Sequence, residues 1–124
     1  MPNDFAYYNA NLDGNEENDC VTRAIKLGTG LPYQTISKLL DMASYYFDCD
    51  KLCVNCYGRL LSDIFNFPIR FCDFDKTVKE ISKSYPYNTV VIRIEGHLTT
   101  SVMGVIADTW DCSDRLVDCF WIVS

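Results

Sequence analysis

The period of the hydrophobic pattern changes near residue 88, and this change limits the folds open to the chain more than any other feature. Before it, apolar residues recur at helical spacing: Val21, Ala24, Ile25 and Leu27, then Ile36, Leu39, Leu40, Ala43 and Phe47, then Leu60, Leu61, Ile64 and Phe65. After it come β-branched runs, led by Thr89-Val90-Val91-Ile92-Arg93-Ile94. Helices first and consecutive strands last specify an α+β chain, with N-terminal helices packed on a C-terminal antiparallel sheet. The spacing predicts helices over residues 19–27, from Pro32 onward, over 54–65 and from Asp75 toward Pro86. It predicts strands at 69–71, 89–94, 98–102, 105–109 and 116–123. Residues 1–17, rich in Asn, Asp, Glu and Gly, read as an irregular lead-in. The 124 residues make one domain.

Composition narrows the class of function. With 11 basic against 17 acidic residues and a net charge of −6, the chain lacks the basic surplus of a nucleic-acid or membrane-surface binder. Met1-Pro2-Asn3-Asp4-Phe5 has neither the basic nor the apolar region of a signal peptide, and no apolar run reaches the about 18 residues a membrane helix needs. The expectation is a cytoplasmic protein whose seven cysteines are reduced.

One of those cysteines stands apart. Cys20 follows Asn18-Asp19, a helix-capping pair, so its thiol falls at a helix N-terminus, where backbone N–H groups and the helix dipole favour the thiolate. His97 is the only histidine, so any Cys–His pair must use it. A two-residue turn at Met103-Gly104 pairs Val102 with Val105, which sets Thr99 opposite Asp108 and puts His97, Asp108 and Trp110 on one face. Asp108 is then diagonal to His97 and can orient the imidazole. A three-residue loop would shift the pairing and offer Asp111 instead. The other reading of each residue is ordinary: a core cysteine, a surface histidine, a surface carboxylate. Asn15 and Asn18 are candidate side-chain donors to an oxyanion, and Trp110 is a candidate pocket wall. Cys49, Cys53 and Cys56 form a C-x₃-C-x₂-C cluster, read chiefly as core and loop thiols, with zinc as the alternative. No metal or cofactor is assigned.

Three segments carry a resemblance: Asn18-Asp19-Cys20-Val21-Thr22-Arg23-Ala24, Gly96-His97-Leu98-Thr99, and Asp108-Thr109-Trp110-Asp111-Cys112-Ser113-Asp114. They resemble small phage and bacterial proteins that are similar to compact papain-like cysteine peptidases. The resemblance spans roughly residues 18–121. It implies a papain-like fold, with Cys20 as nucleophile, His97 as base and Asp108 as the orienting acid. Members of that superfamily usually carry a glutamine about six residues before the nucleophile; here Gly14 stands there, with Asn15 beside it. The expected function is a thiol hydrolase or acyltransferase of the peptidase or amidase type, acting on a peptide or protein. The alternative is a non-catalytic, phage-encoded protein that binds a host protein in the host cytoplasm.

Overall fold

The computed structural model describes residues 5–11 and 19–124. Along the chain run β1 (Phe5–Tyr7), α1 (Cys20–Thr29), α2 (Tyr33–Phe47), α3 (Val54–Arg59) with a wider π-helical turn at Leu60–Ile64, β2 (Ile69–Phe71), α4 (Val78–Ser84), β3 (Thr89–Ile94), β4 (His97–Val102), β5 (Val105–Asp108) and β6 (Val117–Ile122). The six strands form one sheet in the order β1-β5-β4-β3-β6-β2, antiparallel except for the β1–β5 pair. The class is α+β. Among the described residues no helix is long and apolar enough to cross a membrane.

Both faces of the sheet are covered. Val91, Leu98 and Trp121 face Ile25 of α1, Ile36 and Leu40 of α2, and Leu60 and Leu61 of the π turn. Val90, Ile92, Ile94, Ile106 and Phe120 face Val78 and Ile81 of α4. Alternating side chains of β3 therefore enter two different cores, which is why Val90-Val91-Ile92 is apolar at consecutive positions.

The helices depart from the expected boundaries for local reasons. α1 runs past Gly28 and ends at Gly30, whose φ of 76° and N–H bond to the Lys26 carbonyl at 2.8 Å form a left-handed cap. Gly28 instead serves packing: a Cβ there would lie 2.8 Å from a methyl of Val91, so α1 sits directly on β3. The helix expected over 54–65 loosens into a π turn, with the Phe65 N–H bonded to the Leu60 carbonyl at 2.9 Å. That wider turn carries two sequence neighbours, Leu60 and Leu61, into the core together. α4 starts at Val78 rather than Asp75 because Thr77 and Glu80 cap it reciprocally.

The N-terminal segment is the one missed strand. Residues 5–7 were expected to be irregular; they pair in parallel with β5, Tyr7 against Asp108, and the Tyr8 N–H bonds the Asp108 carbonyl at 2.9 Å. Three residues are too few for a period to show in sequence, and the pairing depends on an edge formed a hundred residues later.

Gly28→Val should overpack the α1–β3 contact and cost about 1–3 kcal/mol. Denaturant midpoints of the two proteins check this, and unchanged stability would mean that α1 can lift off β3 freely.

Candidate active site

The site lies where the start of α1 meets the open end of the β4–β5 hairpin. Glu95-Gly96 forms the tight turn between β3 and β4, with Ile94 paired to His97 and Gly96 at a φ of 74°. His97 is thereby the first residue of β4. At the hairpin's other end Val102 pairs with Val105, so the Met103-Gly104 turn has two residues, with φ values of 51° and 79°. Met103 accepts the left-handed conformation because its N–H bonds the Asn88 carbonyl at 3.0 Å. This register selects the carboxylate. The His97 Nε2 lies 2.7 Å from Asp108 Oδ2, whereas Asp111 turns away to accept from the backbone and hydroxyl of Ser113.

With Nε2 committed to Asp108, the His97 ring also lies close enough to the Cys20 thiol for each to favour the other's charged form, and the Leu98 N–H favours the thiolate as well. Cys20 is the first residue of α1, as its position after Asp19 led us to expect. Burial opposes ionisation of Cys20, but the His97 and Leu98 hydrogen bonds, with the charges of His97 and Arg23, outweigh it and hold the thiol below its ordinary value. Burial also disfavours the His97 cation, yet hydrogen bonds to Asp108 and Cys20 and their charges raise it to about 9. Burial would lift Asp108; its bonds to His97 and the Thr109 N–H, with the nearby Thr99 hydroxyl, bring it below the usual carboxylate range. The two shifts run in the directions that favour a thiolate–imidazolium pair.

Asp19 does not cap α1 with its side chain. Its Oδ1 accepts from Arg23 Nε at 2.7 Å, and its Oδ2 from Asn11 Nδ2 at 3.0 Å and the Tyr33 hydroxyl at 2.9 Å. The charge that would oppose a Cys20 thiolate is thus paired. Arg23 also reaches Asp108 Oδ1 at 3.4 Å and the Thr109 hydroxyl at 3.1 Å, joining the nucleophile's helix to the hairpin. Arg23 lay within a noted sequence segment, but only its position one turn after Asp19 hinted at this role.

Asn15 and Asn18 lie outside the described residues. Trp110 packs at a tilt against the His97 ring, centroids 4.9 Å apart, and is 40% exposed. It covers the ring from outside and does not wall the groove. That groove, about 420 Å³, opens beside Cys20 and His97 between Leu52, Cys53, Val54 and Tyr57 on one side and Ile94 and Leu98 on the other. Its lining from α3 comes from the stretch of sequence that offered no motif.

The other thiols differ from Cys20. Burial pushes Cys56 and Cys119 up to about 12 and Cys112 up to about 11, and raises Cys72 as well. Cys49 lies near Cys56 and adds to its upward shift, while Cys53 is exposed. Among the described residues the three do not gather as a set of metal ligands; His97, Asp108 and Cys112 do, with ligand atoms all within 4.8 Å of one another. Comparison with known protein families, curated proteins and solved structures found no match.

Asp108→Asn removes the charge that raises His97 and should move the midpoint of Cys20 alkylation upward, toward an ordinary thiol. Arg23→Gln should move it the same way by less, and leaving Asp19 without its cation should cost about 1–3 kcal/mol. Iodoacetamide labelling rates across pH and denaturant midpoints measure the two effects.

Proposed function

We propose that this protein is a cysteine hydrolase or acyltransferase of the papain-like type, acting on an amide or ester of a peptide or protein. The observation that carries this reading is His97 bonded to Asp108 at 2.7 Å in the same site as a Cys20 thiol whose ionisation it favours. Cys20 attacks the substrate carbonyl as the thiolate. The His97 cation then gives its proton to the departing amine or alcohol and recovers one from the water or acceptor that releases the acyl group. Asp108 keeps the imidazole oriented and stabilises its charged form. Cys20 stands at the first position of α1, where a backbone N–H can donate to a developing oxyanion. The groove between α3 and the start of β4 is mostly apolar and suits an uncharged acyl side chain.

The pH dependence follows from the two groups. Below the Cys20 transition the thiol is protonated and unreactive. Above about 9 His97 loses the proton that the leaving group needs. Activity should rise through the first transition and fall through the second.

A second reading, a protein that binds a host protein without catalysis, has one observation in its favour. Met42, Tyr45 and Tyr46 lie at helical spacing on α2 and are 54%, 88% and 80% exposed. In that case Tyr45→Ala with Tyr46→Ala would weaken partner binding while Cys20→Ser would not.

At neutral pH iodoacetamide should label Cys20 faster than Cys56, Cys112 and Cys119, and also faster than the exposed Cys53. His97→Ala should erase the advantage over Cys53. Peptide mass spectrometry reads the rates; a Cys20 that reacts no faster than Cys53 in the wild type would end the enzyme proposal.

A further inference from the structure

His97 and Asp108 have a third neighbour that the proposed reaction does not use. Cys112 follows Asp108 by four residues, is 1% exposed, and its sulfur completes a set with a His97 ring nitrogen and an Asp108 oxygen, all within 4.8 Å of one another. The three side chains are held by separate parts of the chain: β4, the end of β5, and the turn whose Arg115 N–H bonds the Cys112 carbonyl at 3.0 Å. A second observation points to a ligand here. The Thr99 hydroxyl lies close enough to Asp108 and Cys112 to influence both, yet it is buried with no partner at hydrogen-bonding geometry. A buried hydroxyl left in that state is costly unless something else occupies the space beside it.

We propose that His97 Nε2, an Asp108 carboxylate oxygen and Cys112 Sγ form a zinc site. One nitrogen, one oxygen and one sulfur suit zinc, whereas calcium and magnesium take oxygen ligands. Tetrahedral zinc at bond lengths of about 2.0–2.3 Å separates its ligand atoms by roughly 3.3–3.8 Å. The His97–Asp108 contact of 2.7 Å must therefore widen by about 0.6 Å. The fourth position goes to water, within reach of the Thr99 hydroxyl. On binding, the imidazolium gives up its Nε2 proton and Cys112 its thiol proton, both to solvent; nothing is oxidised or reduced. The charges of Asp108 and the Cys112 thiolate then match the dication, which favours the bound state in a buried place.

Zinc on Nε2 replaces the proton through which the ring is held to Asp108, and the ring can no longer cycle between imidazole and imidazolium. The metal site stands on the three side chains alone. That zinc would arrest turnover rests on the proposed function.

Because the chain has one histidine, protein labelled with ¹⁵N-histidine shows one imidazole by NMR. Zinc chloride added to metal-free protein should move the Nε2 resonance, saturating at one zinc per chain, in the wild type and in Cys20→Ser. In Cys112→Ala, or Cys112→Ser if the alanine variant does not fold, the same shift should need at least about tenfold more zinc. Cobalt(II) should give sulfur-to-metal charge-transfer absorption that survives Cys20→Ser and is lost with Cys112. An equal response in the Cys112 variant overturns the proposal, as does loss of the response in Cys20→Ser or no shift at all. None of these outcomes bears on alkylation of Cys20 in metal-free protein, so the zinc site and the cysteine mechanism fail separately.

Discussion

The reach of His97 between two partners depends on a turn at the far end of its strand. Met103 and Gly104 both adopt positive φ, so β4 and β5 pair with Val102 opposite Val105 and without an inserted residue. A left-handed conformation costs a non-glycine residue about 1–2 kcal/mol. Here the Asn88 carbonyl holds Met103 in place, and Gly104 lies over Pro86, where a Cβ would come within 3.4 Å of the proline Cα. One more residue in the loop would exchange the faces of β5 and present Asp111 rather than Asp108. The identity of the carboxylate beside the imidazole is thus set at the opposite end of the hairpin.

Around that register the charges are arranged so that none is left alone. Asp19 precedes the thiol and would oppose its ionisation, but Arg23, Asn11 and Tyr33 share its two oxygens. Arg23 then spans from Asp19 to Asp108, bridging the helix that carries Cys20 and the strand pair that carries His97 and Asp108. β1 adds a backbone brace on the far side of Asp108. Removing a charge from such a buried network leaves its partner uncompensated, which makes the network a determinant of geometry as well as of ionisation.

The seven cysteines illustrate how environment separates identical side chains. Cys56, Cys112 and Cys119 sit among apolar neighbours or carboxylates and resist ionisation. Cys20 is also buried, but it has a cation, a backbone N–H and a helix start beside it, so the balance reverses. Cys112 is close to the same imidazole and carboxylate as a potential ligand rather than as a nucleophile. Two thiols thus lie near one His–Asp pair.

Much of this was legible in the sequence because it is local. Periods of 3.6 and 2 separated the helical half from the strands; the Met103-Gly104 pair suggested the hairpin; the position after Asn18-Asp19 placed Cys20 at a helix start; and the lone histidine left no choice of base. What stayed hidden depends on residues far apart in the chain. The strand at Phe5–Tyr7 exists only where β5 offers an edge. Arg23 gained its role from Asp108, 85 residues away, and Cys112 gained its from the packing of three segments. The chain by itself determined most of the helices and strands and which side chains were candidates for a site. Only the tertiary structure decided which of them meet, because hydrogen bonds and charges act over a few ångströms of space and not along the sequence.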